Sequence, residues 1–120
     1  YIPARGYYLI ERTSDETISN VVGDCVTTFG SGGLKNTAEH LVLIDSTSGA
    51  QDEISISGGD WYAGINGDTN TQKASMERKN STQSGSIAKN WASYTGQSSS
   101  ALDAGGSIIL GTPRGQNSVQ

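Results

Sequence analysis

Cysteine, histidine, methionine and phenylalanine each occur once in this chain of 120 residues, and proline occurs twice. A single thiol, Cys25, closes no internal disulfide, so a bridge-stapled miniprotein is excluded. One histidine and one cysteine are too few for a zinc or iron centre. Positive charge is scarce as well: eight Lys and Arg stand against twelve Asp and Glu, for a net charge of −4. Such a balance offers no grip on phosphate backbones or anionic lipid, so nucleic acid is not an expected partner. No apolar run approaches the length of a membrane-spanning helix, and membrane insertion is not expected. Leu, Ile, Val and Phe together supply only 22 residues, which makes a thin interior. Disorder would need high net charge besides, so a lean folded domain is the expectation. The sequence opens at Tyr1 with neither a basic n-region nor an apolar h-region, as expected after removal of a leader or for a segment of something longer.

What is present is small and polar. Ser, Thr, Gly and Asn fill 51 positions, the profile of a turn-rich β protein with a neutral exterior. Hydrophobic residues alternate or clump in short runs, with no sustained helical period. After a Pro3–Gly6 turn, residues 7–12 read as a strand, and Val21-Val22 with residues 25–29 form β-branched runs broken by Gly23-Asp24. Residues 39–45 (Glu-His-Leu-Val-Leu-Ile-Asp) read as the clearest core strand. A turn over 46–49 then returns the chain through 51–57 with alternating Ile54 and Ile56, a hairpin signal. Residues 73–78 read as a short strand, 80–85 as a loop, 97–106 as a small-residue insertion, 108–110 as a last apolar run and 114–120 as a polar tail. The spacing predicts one domain over 1–120, an all-β antiparallel sandwich.

Chemistry is sparsely signalled, and an enzyme is not expected. His40 begins a strand beside Glu39, and no Gly-x-Ser-x-Gly elbow provides it with a nucleophile. The carboxylate pairs Asp15-Glu16 and Asp52-Glu53 occupy adjacent positions, which face opposite sides of a strand. Asn66, Asp68 and Asn70 place oxygens at alternate positions, and the twelfth residue from Asn66 is Glu77, as in a calcium loop. Thr71 stands where such a loop needs Gly and no helices flank it, so a self-bonded polar turn competes with calcium, to which Asp60 would add a distant ligand. No other cofactor is signalled. Trp61 and Tyr62, after Gly-Gly-Asp, suit a ligand or carbohydrate platform or a loop tucked under its own aromatics. Trp91 reads as a packing anchor, Cys25 as a small buried thiol, and Asn80-Ser81-Thr82 as a glycosylation sequon.

Three features in order carry a family likeness: residues 2–10 (Ile-Pro-Ala-Arg-Gly-Tyr-Tyr-Leu-Ile); residues 39–45 with 51–56; and residues 74–78 followed by Asn90-Trp91 and Gly111-Thr-Pro-Arg-Gly-Gln-Asn117. Together they resemble the lamin-tail domain, an immunoglobulin-like sandwich found in nuclear lamins and in exported bacterial proteins. The resemblance implies an immunoglobulin-like fold, an Asp52–Arg78 pair tying strand to strand, and an extracellular or cell-surface setting. It also implies strands before the Pro-Ala turn that are missing here, leaving the sandwich N-terminally incomplete. A sheet edge left open in this way is a template for another strand. The chain would then be a fragment, or a structural subunit completed through that edge by a protein partner or by another copy of itself. The alternative is a carbohydrate- or calcium-binding accessory module of a larger exported protein.

Overall fold

The computed structural model describes residues 2–68, 71–96 and 99–120. Six short strands carry the fold: β1 (Ile10–Arg12), β2 (Cys25–Thr27), β3 (His40–Ile44), β4 (Ala50–Ser55), β5 (Met76–Arg78) and β6 (Trp91–Ser93). A 3-10 turn, Ala88–Asn90, precedes β6. Among the described residues the strands form three two-stranded ladders, β1–β2, β3–β4 and β5–β6. The molecule is therefore all-β.

The β3–β4 hairpin follows from its turn chemistry. Asp45 Oδ1 accepts hydrogen bonds from the Thr47 amide (2.8 Å), the Thr47 hydroxyl (2.8 Å) and the Gly49 amide (2.9 Å). These bonds hold Ser48 in the left-handed region (φ 66°) and return the chain in antiparallel register. The same donors, led by the Gly49 amide, hold the Asp45 carboxyl below its ordinary pKa.

β1 and β2 pair in parallel, correcting the expectation of an antiparallel arrangement throughout. Parallel neighbours need a crossover of about a dozen residues, and residues 13–24 supply it. Side-chain oxygens fold this crossover. Glu11 Oε1 accepts from the Ile18 amide (2.7 Å), Asp15 Oδ1 from the Gly23 amide (2.7 Å) and Asp24 Oδ2 from the Leu9 amide (2.8 Å). Around β5, single bridges recruit further chain: Ala74 pairs with both Ile65 and Leu110, and Leu102 with Ile108. The 97–106 segment, expected as an insertion, thus carries a ladder partner at Leu102 and a buried Ala101.

Apolar burial is slight. Among the described residues, the hydrophobic side chains that are fully inside are Ile56, Tyr94 and Ala101, beside the polar Glu11, Glu77 and Asn90. The chain exposes 8099 Å², where a monomer of this size is expected to expose about 6,200 Å². β3 is the main correction to the sequence reading. Its apolar run forms the strand but is not core, since Val42, Leu43 and Ile44 are 38%, 51% and 57% exposed.

Candidate functional site

The two edges of the β3–β4 hairpin differ. Its register pairs Leu41 with Ile54 and Leu43 with Asp52, and the Ile56 amide donates to the Glu39 carbonyl (2.8 Å). In an antiparallel ladder the intervening residues turn their backbone groups outward. On β4 these are Glu53 and Ser55, and on β3 they are His40, Val42 and Ile44.

The outer edge of β4 is occupied. The Tyr62 hydroxyl donates to the Ser55 carbonyl (2.5 Å). Gly85 lies flat against the Glu53 carbonyl, and a Cβ at position 85 would sit 2.5 Å from that oxygen. Gly85 is held there from both sides. Its amide donates to Asp52 Oδ1 (2.8 Å), and its carbonyl accepts from the Trp91 indole N–H (2.8 Å). Arg78 closes the cluster, pairing with Asp52 Oδ2 and lying 5.0 Å from the centroid of the Trp91 ring. Burial alone would raise the Asp52 carboxyl, but the Gly85 amide, Arg78 and the Glu53 amide together hold its pKa below the ordinary value. Asp52, Arg78 and Trp91 thus form one unit that joins β4, β5 and β6.

Among the described residues, no strand lies beside the outer edge of β3. It also has none of the usual protection: residues 41–44 are Leu-Val-Leu-Ile, without Lys, Pro or an inward charge. Its one ionisable group, His40, reaches across the exposed face to Glu53 (3.1 Å).

The remaining sequence-predicted residues are dispersed. Trp61 donates its indole N–H to the Lys35 carbonyl (2.9 Å) and walls a cleft of about 520 Å³ with Asp60, Ile65, Asn66 and Met76. Tyr62 is directed to Ser55, so the two aromatics do not form one platform. Asp68 Oδ1 accepts from the Thr71 amide (2.9 Å), and Asn70 lies outside the described residues. Glu77 is turned inside: its carboxylate accepts from the Thr112 hydroxyl (2.7 Å), the Ser118 amide (2.8 Å) and the Ser118 hydroxyl (2.6 Å). Among the described residues no three His, Cys, Asp or Glu side chains are gathered to hold a metal. Cys25 is half-buried in β2. Asn80 is exposed, with its side-chain oxygen accepting from the Thr82 amide and hydroxyl.

Sequence reasoning missed the polar residues that organise the chain. Asn90 clasps Asn80 through both its amide and its carbonyl. The polar tail is docked: the Arg78 carbonyl accepts from Asn117 and Gln120, and Arg114 pairs with Asp24 (3.2 Å). Glu11 is fully buried, and its Oε2 meets no hydrogen-bond donor among the described residues. Burial first, and then the neighbouring Asp15 carboxyl, raise the Glu11 pKa, while the Gly23 amide and Glu11 lower that of Asp15. The available signal was a carboxylate at the centre of a very short strand, as at Glu11 and Glu77.

No helix among the described residues is long and apolar enough to cross a membrane. No protein-family model, curated protein or solved structure matches the chain.

Proposed function

We propose that this chain is a non-catalytic structural or protein-interaction module that accepts a strand at the open edge of β3. The observation that carries the reading is the asymmetry of one hairpin. The β4 edge is sealed by Tyr62 and Gly85, whereas the β3 edge is apolar over residues 41–44 and, among the described residues, without a neighbouring strand. Strand addition supplies such an edge with main-chain hydrogen bonds and draws specificity from alternate side chains. The excess exposed surface, about 1,900 Å² over the expectation for a monomer, exceeds the roughly 800 Å² that each partner loses in a standard interface. The likeness of the three sequence motifs to the lamin-tail domain supports taking the ladders as parts of an immunoglobulin-like sandwich. With the neutral polar exterior, it also supports an extracellular or cell-surface setting.

Amide hydrogen exchange on the dilute monomer tests the open edge. Val42 and Ile44, whose amides point away from β4, exchange at nearly the rate of an unstructured peptide, while Leu41 and Leu43 are protected. Protection of all four in the monomer contradicts the proposal.

A second reading has one observation in its favour, the Trp61-walled cleft. An accessory module would bind a small carbohydrate or a cation-dependent ligand there, and quenching of Trp61 fluorescence by added oligosaccharide, with or without calcium, is its test.

A further inference from the structure

We infer that the strand added at β3 is the β3 of a second copy of this chain, paired antiparallel about a two-fold axis beside Val42. The inference rests on the reading of β3 as an open edge and names its occupant.

The geometry of the hairpin selects the register. Outward-facing backbone groups on β3 belong to His40, Val42 and Ile44, because Leu41 and Leu43 are committed to β4. A symmetric antiparallel pairing centred on Val42 sets Val42 against Val42 of the second copy and His40 against Ile44. The three outward-facing positions then meet the same three of the second copy, so the amide and carbonyl of Val42 find partners in one step. The intervening pairs are Leu41 with Leu43, on the face that carries Asp52 and Ile54. No like charges oppose one another anywhere in this register. The strand is thus complementary to itself, as an isologous two-fold interface requires.

Shifted registers are less suitable. The ladder with β4 is bulged between Leu43 and Ile44, and beyond Ile44 the chain enters the Asp45 turn. Beyond His40 lies Glu39, whose carboxylate accepts from the Lys35 and His40 amides and is held below its ordinary pKa, first by the Lys35 amide. A shift toward either end would bring acidic residues toward one another across the axis, a repulsive arrangement. The product of the centred register is a four-stranded sheet, β4–β3–β3–β4, in which both outer edges are already sealed by Tyr62 and Gly85. Such a dimer leaves no open edge on this sheet for growth into a fibre.

The surface balance agrees. Each copy carries more excess surface than a standard interface removes, and among the described residues Val42, Leu43 and Ile44 are three consecutive large hydrophobic residues left exposed. The net charge of −4 per chain opposes association only at long range, where physiological salt screens it.

Sedimentation velocity across a concentration series, on the full chain and two variants, decides the matter. Val42→Lys sets two ammonium groups against each other at the axis. Val42→Pro deletes the outward donor while leaving the Leu41 and Leu43 bonds to β4 in place, as proline allows on an edge. The expected result is a reversible dimer for the parent chain and a dissociation constant raised by about tenfold or more in each variant, with thermal melting showing that both still fold. If the proline variant fails to fold, the lysine variant decides alone. A parent dimer of unchanged strength in a folded variant overturns the assignment. A parent chain that stays monomeric at millimolar concentration also overturns it. In that last case amide exchange at Val42 and Ile44 separates the two claims: free exchange leaves the edge open for a foreign strand, and protection removes the open edge as well.

Discussion

The β3–β4 hairpin and the β5–β6 ladder are both short antiparallel pairs, yet they distribute their side chains in opposite ways. The hairpin presents Val42, Leu43 and Ile44 to water. The β5–β6 ladder, with Glu77 on one strand and Asn90 just before the other, draws a carboxylate and an amide inside, where the C-terminal segment bonds Glu77 and the Asn80 backbone bonds Asn90. What closes a ladder in this lean chain is thus a buried acceptor that collects donors from loops. Apolar content does not do it. Each donor reaching Glu77 or Asn90 brings its own stretch of chain, so a few polar hubs replace the continuous core that 22 large aliphatic and Phe residues cannot supply. The hairpin has its hub on one side, at Asp52, and only that side is covered.

The sharpest way to break the contrast is Glu77→Ala. It removes the acceptor of three part-buried hydrogen bonds, so the Ser118 amide loses its partner and the Thr112 hydroxyl keeps only Asn117 Oδ1. Bonds to charged groups are worth about 1.5–3 kcal/mol each. With incomplete additivity, a loss of about 4 kcal/mol is expected in a urea melt, a large share of the about 5–15 kcal/mol of an ordinary domain. A loss below about 1 kcal/mol would mean that the C-terminal segment is only resting on β5.

Arg78→Ala is the next step down. The pair with Asp52 is partly solvated, with side chains 19% and 27% exposed, so its worth is discounted toward that of a surface bridge. Adding the Trp91 contact, the expected cost is about 1–2 kcal/mol, read as a lower melting temperature. Self-association measured by sedimentation stays unchanged, because the variant acts on the sealed side of the hairpin. A variant that loses both properties would show that the two edges are not independent.

Acid titration gives the smallest and most graded effect. Asp52, Asp45 and Glu39 have folded-state pKa values below their ordinary ones. Their stabilisation is complete above the ordinary carboxyl range and drains away as pH falls through the depressed values. Glu11 is raised, so its contribution has the opposite sign: full below the ordinary value and lost as pH rises through the raised one. Urea melts across an acid-to-neutral series should therefore show stability falling on the acid side, with Asp52→Asn flattening that slope and Glu11→Gln flattening any decline toward neutral pH.

The β3–β4 hairpin was legible in the sequence, because Ile54 and Ile56 alternate and Asp45 begins a turn whose donors lie two and four residues on. The position of β3 in the molecule was not. An apolar run specifies a strand but not what lies over it, and the residues that seal the other edge, Tyr62 and Gly85, lie outside the hairpin. The parallel β1–β2 pairing was hidden for a similar reason, since it depends on how Glu11, Asp15 and Asp24 fold the crossover. Residues 114–120 read as a polar tail by composition, yet Asn117, Ser118 and Gln120 are docking groups, because hydrogen bonds over forty residues of chain leave no periodic trace. The same blindness set Glu77 in a calcium-loop position by spacing alone, while its oxygens serve Thr112 and Ser118.

The most direct test of the account is an isotope-filtered proton spectrum on a mixture of labelled and unlabelled chain. Pairing about Val42 brings the Leu41 and Leu43 α-protons of different copies face to face, so an intermolecular cross-peak between them is predicted. A dimer whose intermolecular contacts bypass residues 40–44 would contradict it.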